Sequence, residues 1–524
     1  MKGYPGSYVR WSFLLLLSVA LGVASPARAE TPTPLAGLEP PQLITIPTWT
    51  TTGAMQASID TFSFDRSTHT LYFADRTNKG VSVIDTDTNT YLGTIVVPTC
   101  DGTGSCPSGV LIAPDLHKLV VTDRNIGSGA SLVHLNPIFI YDLRLPSALP
   151  VMLTLPAGQD TNELDYDPLN HRAYVENSGA GFPFFLTVVD LITNTIVDQI
   201  PLPANPEQPR FNPVDGMIYE SIPDDLTIAT GGPQDAVLRI DPTKSGAAAI
   251  VATFAPPAGC PVRGIDIDPL TNTAIVGCTL GAPQFLMDLS SGAVLAQYPG
   301  VTGTDTLYFN PNLRRWYTGS SNNANSGVQC PGTADPTPVF PVVGVFAAPT
   351  QKNQIATIVG AECSGRNGHG LGVDPIHNQV YVGARQFPAD PASLSSGNPG
   401  VLVWHDPAPL AQPGLAEKSH ADVDPLPGFH ANANVIFDDS YIVRARVGDL
   451  SPATTQILLN ITTTLGNEVV NCTWTRADDA TCFGVLGGKA LIGGTVLLAT
   501  DGTPAAKGSI RRGDQDEHEH GDDH

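Results

Sequence analysis

The chain is short of positive charge. It carries 27 Lys and Arg against 50 Asp and Glu, a formal charge of −23, and no basic stripe interrupts that balance. So acidic a surface repels nucleic acid and anionic lipid and favours cations or basic partners. After the first thirty residues no apolar run approaches the ~18 residues that a membrane-spanning helix needs, so no transmembrane segment is expected in the mature chain. The eight cysteines include no Cys-x-x-Cys pair, which argues against covalent haem and thiol redox chemistry. An HExxH motif, a Gly-rich phosphate loop and a convincing Ser-His-Asp arrangement are missing as well.

What is present begins with an export signal. Lys2 and Arg10 give a positive start, WSFLLLLSVALGVA (11–24) is an apolar core, and Ala27-Arg28-Ala29 offers small residues for cleavage. Residues 1–29 read as a signal peptide, so the mature protein is expected in the periplasm, at the cell surface or outside the cell. Loss of Lys2, Arg10 and Arg28 takes the charge from −23 to −26. In an exported chain, an even number of cysteines suggests disulfides.

Two short patterns alternate through the next 370 or so residues, seven times each. One is a turn between strands, as in FDRSTHTLYF (64–73), YDPLNHRAYV (166–175), IDPLTNTAIV (267–276) and VDPIHNQVYV (373–382). The other is a strand usually ending in Asp, as in VSVID (81–85), IFIYD (138–142), LTVVD (186–190) and VLRID (237–241). A unit repeated this often cannot bury its apolar face alone and must stack on its neighbours. Seven four-stranded units set radially form an all-β, seven-bladed β-propeller, expected over 30–406. The seventh unit lacks an outer strand, because PAPLAQPG follows VLVWHD (401–406) and is too rich in proline to continue a sheet. LITIPTW (43–49) is expected to supply that strand and close the ring.

The repeat D-P-x-x-N-x-x-Y-V followed by V-S-V-I-D-T-x-T-N-T resembles that of the YVTN family of bacterial and archaeal β-propellers, found in surface-layer and exported proteins. Tyr72, Val81 to Thr90, Asp167 to Val175 and Asp374 to Val382 carry it best. The fourth and sixth units match more loosely, and Phe346 and His405 replace the Asp that ends the third strand. The resemblance implies fold and export but no single function.

In such a blade, the connection into the first strand and the loop between the second and third lie on one face. Cys100, Cys106, Cys260, Cys278, Cys330 and Cys363 all map there, and topology suggests the pairs 100–106, 260–278 and 330–363. The loops 124–137, 222–236, 321–341 and 384–400 on this face are long and rich in Gly, Pro, Ser and Asn, the usual setting for binding or chemistry. Alignment of the first strands places Asp60, Ser108, Asn162, Glu207, Arg263, Asp305 and His369 near the channel mouth on this face. Such a ring can hold a divalent cation or a polar ligand, or its members can pair with one another, for instance Arg263 with Asp305.

Beyond a linker at 407–429, segments within 430–509 read as a small β-sandwich, immunoglobulin-like in pattern, with Cys472 and Cys482 bridging a hairpin. The tail 510–524 interleaves His518, His520 and His524 with carboxylates, a set suited to copper, nickel or zinc. Three functions compete. The favoured one is a non-enzymatic scaffold that binds a partner protein or small ligand on its loop face. The second is a periplasmic enzyme with a divalent cation such as calcium in the channel, as lactonases and quinoprotein dehydrogenases place a cation or cofactor near the axis of their propellers. The third is metal capture by the tail.

Overall fold

The computed structural model describes residues 38–408 and, by backbone alone, the strands between 436 and 510. Outside the described residues lie 51–56, 66–67, 101–105, 125–135, 156–159, 179–182, 224–234, 326–329, 331–332, 335–337, 350–353, 389–396, a few single turn positions, the expected signal 1–29, most of the linker, and the tail with its three histidines.

Seven four-stranded antiparallel sheets follow one another along the chain. The first consists of Ile59–Asp65, Thr70–Asp75, Gly80–Asp85 and Thr90–Val96. Alternating β-branched and aromatic residues make these strands, and the turns between them use residues that tolerate a left-handed backbone. His69, Asn89, His117, His171, Asn194, Asn272 and Asn378 all sit at φ between 50° and 55° in such turns.

The inner strands of successive sheets touch around a complete circle: Ile59–Asp65, Val110–Ala113, Asp160–Asp167, Glu207–Asn212, Val262–Asp268, Thr306–Asn310 and Leu371–Asp374, which returns to the first. The molecule is therefore a seven-bladed β-propeller. Its apolar core is divided among the blade interfaces. Among the described residues seven buried clusters occur, each built from two consecutive blades. Tyr174, Leu186 and Ile200 meet Ile218, Leu238 and Ile240 between the third and fourth blades.

In the seventh sheet the outermost strand is Gln42–Ile44, with Gln42 opposite Val403 and Ile44 opposite Val401. The strand is shorter than the segment 43–49 read from the sequence. Pro47 has no N–H to continue the ladder, and the Trp49 N–H turns back to the Ile46 carbonyl at 3.0 Å. Ile46 and Trp49 instead fill the interface between the seventh and first blades. The stretch 384–400 is only partly loop, since Gln379–Pro388 and Gly397–His405 extend their ladder as far as Pro388 opposite Gly397.

After the propeller, seven strands from Ile436–Asp438 to Thr503–Ile510 are hydrogen-bonded in one continuous order.

Candidate functional site

The antiparallel order brings the start of each inner strand, the end of the second, the start of the third and the end of the fourth to one face. Three disulfides lie there: Cys100–Cys106, Cys260–Cys278 and Cys330–Cys363. Cys472 and Cys482 are opposite each other in register across the hairpin of Gly466–Trp474 and Ala480–Val485.

The seven aligned positions, a belt at the starts of the inner strands, are joined to neighbours partly by side chains and partly by backbone groups. The Arg76 guanidinium, just past the second strand of the first blade, bonds the Asp60 carboxylate and donates to Ser108 Oγ at 3.0 Å. Ser108 Oγ lies 2.9 Å from Asp60 Oδ2 and 2.6 Å from Asn162 Oδ1. Asn162 Nδ2 donates to Glu176 Oε2 at 3.2 Å. Glu220 Oε1 accepts the Glu207 N–H at 3.1 Å, and Glu207 is ion-paired with Arg263. Arg263 thus pairs with the preceding blade and not with Asp305. The Asp305 carbonyl accepts the Gly264 N–H at 2.8 Å and Gln208 Nε2 at 3.2 Å. Thr306 donates to the His369 carbonyl, and His369 Nε2 stands 3.9 Å from Asp60 Oδ1 of the first blade.

Burial sets the electrostatics of this belt. Arg76 is pulled down to about 10, chiefly by desolvation and then by Arg124, against the pull of Glu163 and Asp305. The His369 imidazole is lowered by burial, with Asp305 opposing. Just inside the belt, three carboxyls missed by the sequence reading lie buried. Burial pushes Glu176 up to about 7, and it drives Glu163 and Glu220 well above the ordinary carboxylate range, with Glu176 adding to both. Glu176 Oε1, Glu220 Oε2 and Gln208 Oε1 have no hydrogen-bond partner.

A second set lines the channel nearer the opposite face, in a cavity of about 290 Å³. Arg210 sits there between Asp165 and Asp266, with Nε 3.6 Å from Asp266 Oδ1 and its guanidinium 5.0 Å from the Tyr308 ring centroid. Asp165 Oδ2 accepts the Phe211 N–H and Asp266 Oδ2 the Phe309 N–H, both at 2.6 Å, so each carboxylate also ties its blade to the next. Burial raises Asp165 to about 6 and raises Asp266, with Arg210 resisting in both cases. The Tyr308 hydroxyl, pushed up to about 12 by burial, donates to the Phe62 carbonyl.

Asp165, Arg210, Asp266 and Tyr308 each stand three residues after a belt position. Regular alternation would send residues three apart to opposite faces. In the first, third, fourth and fifth blades, however, the inner strand shifts register near its start, between Ile59 and Phe62, Thr161 and Leu164, Glu207 and Pro209, and Val262 and Ile265. Such a bulge inserts a residue and resets which side chains share a face. Glu176 and Glu220 lie in second strands, two residues after Tyr174 and one after Tyr219, and both are fully buried.

Chemically, the belt distributes charge among fixed partners, and Ser108 Oγ is held among the Asp60 carboxylate, the Arg76 guanidinium and the Asn162 amide oxygen. Burial holds Glu163, Glu176 and Glu220 toward the neutral, protonated form.

No family model matches the chain, and no curated protein matches it. Among solved structures it is similar to a chain of Kuenenia stuttgartiensis hydrazine synthase, at 15% identity and a TM-score of 0.40 over 50% of this chain and 80% of that one. It is also similar to a chain from a crystal structure of the mitotic checkpoint complex, at 11% identity and a TM-score of 0.46 over 72% and 97% respectively. Likeness at this distance concerns fold alone, and the closed circle of seven inner strands is what establishes the propeller.

Proposed function

We propose that the chain is an exported, non-enzymatic ring scaffold that docks a partner protein or ligand on its disulfide-bonded loop face. The observation that carries this reading is that all three disulfides lie at the loop end of the blades, while the channel groups beside them are largely occupied with one another. The Cys330–Cys363 cross-link anchors the long loop 321–341, and the other two constrain neighbouring connections on the same face. The signal-like residues 1–29 and the resemblance to YVTN repeats support export, and Gln42–Ile44 acts as the closing strand of the ring. Residues 430–509 form a sandwich-like spacer. In their favour, 466–471 of one strand pair with 458–463 while 472–474 pair with 480–482, a change of partner of the sort found where strands pass between sheets. The facing Cys472 and Cys482 are read as a fourth disulfide.

The test uses the exported full chain as bait, beside a variant in which 224–234 is replaced by a Gly-Ser linker. The variant is expected to melt at the same temperature and to lose the partner. Undiminished capture by that variant, or steady turnover of a small substrate by the wild type, would sink the reading.

The unpartnered Glu176 Oε1, Glu220 Oε2 and Gln208 Oε1 favour a second reading, a divalent cation held at the channel mouth. Elemental analysis of a chain ending at Arg512, which lacks the histidine tail, decides it. One equivalent of metal lost in a Glu176→Gln, Glu220→Gln variant supports the pore site, and a metal-free wild type removes it.

A further inference from the structure

The seam between the seventh and first blades carries a group of side chains that neither the belt nor the loop face uses. His69 and Asp87 belong to two turns of the first blade and His377 to a turn of the seventh, on the face opposite the disulfides. His69 Nδ1 lies 2.7 Å from Asp87 Oδ1, and His377 Nε2 lies 3.2 Å from the same oxygen. One ligand atom from each residue falls within 4.8 Å of the others. Tetrahedral coordination with bonds of about 2.0 Å sets ligand atoms about 3.3 Å apart, so little movement separates this arrangement from a coordination sphere.

The second shell is already in place. His377 Nδ1 is 2.6 Å from Asp374 Oδ2, and Asp374 is fully buried, with its other oxygen accepting the Ile376 N–H at 2.7 Å. A histidine whose Nδ1–H is given to a buried carboxylate presents the Nε2 lone pair outward, which is how metal-ligating imidazoles are oriented. That lone pair faces the Asp87 carboxylate, an acceptor with no hydrogen to offer. With carboxylates at both ring nitrogens, His377 is satisfied either as an imidazolium donating to both or as a neutral ring with a cation on the Asp87 side.

We propose that His69, Asp87 and His377 form a site for a divalent transition cation of the zinc class, clamping the first blade to the seventh. Two imidazoles and one carboxylate suit zinc, nickel or copper better than calcium. Side-chain exposures of 37%, 54% and 32% leave the site open to the metal and to completing water ligands. The position corresponding to Asp87 is Arg144, Ile192, Thr243 and Ser290 in the next four blades, so the carboxylate occurs at the ring's junction and not at those turns. Tyr381 of the seventh blade donates to Asn89 Oδ1 of the first at 2.7 Å beside it, and this bond fixes the two turns relative to each other without metal.

The full chain, stripped with chelator, is melted with and without zinc. A site that exists only in the folded ring raises the melting temperature, whereas zinc bound equally by folded and unfolded chains does not. At zinc about a hundredfold above the dissociation constant, the expected rise is roughly 3 °C. The same rise is expected in a variant with His518, His520 and His524 changed to Gln, and it should vanish in His69→Gln and in Asp87→Asn. Both of those side chains are partly exposed, so the variants should fold. A wild type insensitive to zinc, or a rise retained by both seam variants, would overturn the site. Belt variants such as Glu176→Gln should leave the zinc response unchanged, which keeps this test separate from the pore reading.

Discussion

Glu163, Glu176 and Glu220 hold their protons more tightly in the folded protein than an exposed carboxyl does. A group whose affinity for protons rises on folding stabilises the fold while protonated. For Glu176 that contribution is complete below about 4.5, the ordinary glutamate value, and is lost as pH climbs through about 7. Asp165 behaves alike at the other channel level, its contribution being lost as pH climbs from 3.8 through about 6. In chelator-treated protein the melting temperature should therefore increase as pH is lowered from about 8 to about 5.5, opposite to ordinary acid destabilisation. Glu176→Gln with Glu220→Gln should raise the melting temperature at pH 8 and flatten the profile, which a series of thermal melts across this range would check. An unaltered pH profile in the double variant would place the dependence elsewhere.

The elements divide into those the sequence displays and those it hides. The turn-and-strand repeat made the blades legible because each unit spells out its own local periodicity. The disulfide topology followed from the same alignment. The bulges were not legible. They arise where an inner strand must satisfy neighbouring blades as well as its own sheet, and no residue such as glycine or proline marks them uniformly. Arg210, Asp165 and Asp266 were missed for that reason. The belt's partners were missed for another: Arg76, Glu176 and Glu220 come from second strands or just past one, so an alignment of inner strands alone cannot reach them.

Two predictions belong to the elements. The disulfides close chain separations of 6, 18 and 33 residues. If restriction of the unfolded chain dominates, Cys→Ala removal should cost about 2, about 3 and about 4 kcal/mol in that order, measured by urea unfolding of the three paired variants. A loss largest at Cys100–Cys106 would contradict that ranking. Deletion through Trp49 removes Ile44, Ile46 and Trp49 from the seam and takes the Trp49 indole donor from buried Asp75, 3.2 Å away. On the order of 5 kcal/mol should be lost, and the uncovered edge at Val401–Val403 should promote association, visible as a concentration-dependent sedimentation profile.

At the scale of the molecule, the full chain carries a formal charge of −23, and its apolar core is divided among seven blade interfaces. Self-repulsion at that charge works against compactness and is screened over about 10 Å at 0.1 M salt. Raising sodium chloride from about 20 to about 300 mM should raise the melting temperature, and a flat response would mean that the charge is already neutralised locally, as by bound cations.

The pairing of Gln42–Ile44 with Val401–Val403 also has a temporal meaning. A ribosome that has delivered six blades has not yet delivered the strand against which the earliest residues must lie. Throughout synthesis the nascent chain thus keeps a ready edge and an unmet partner some 360 positions apart, and the final register is settled only after the last blade emerges. A chain built this way can still be threaded through a membrane pore before it locks, so its architecture is compatible with export ahead of completion.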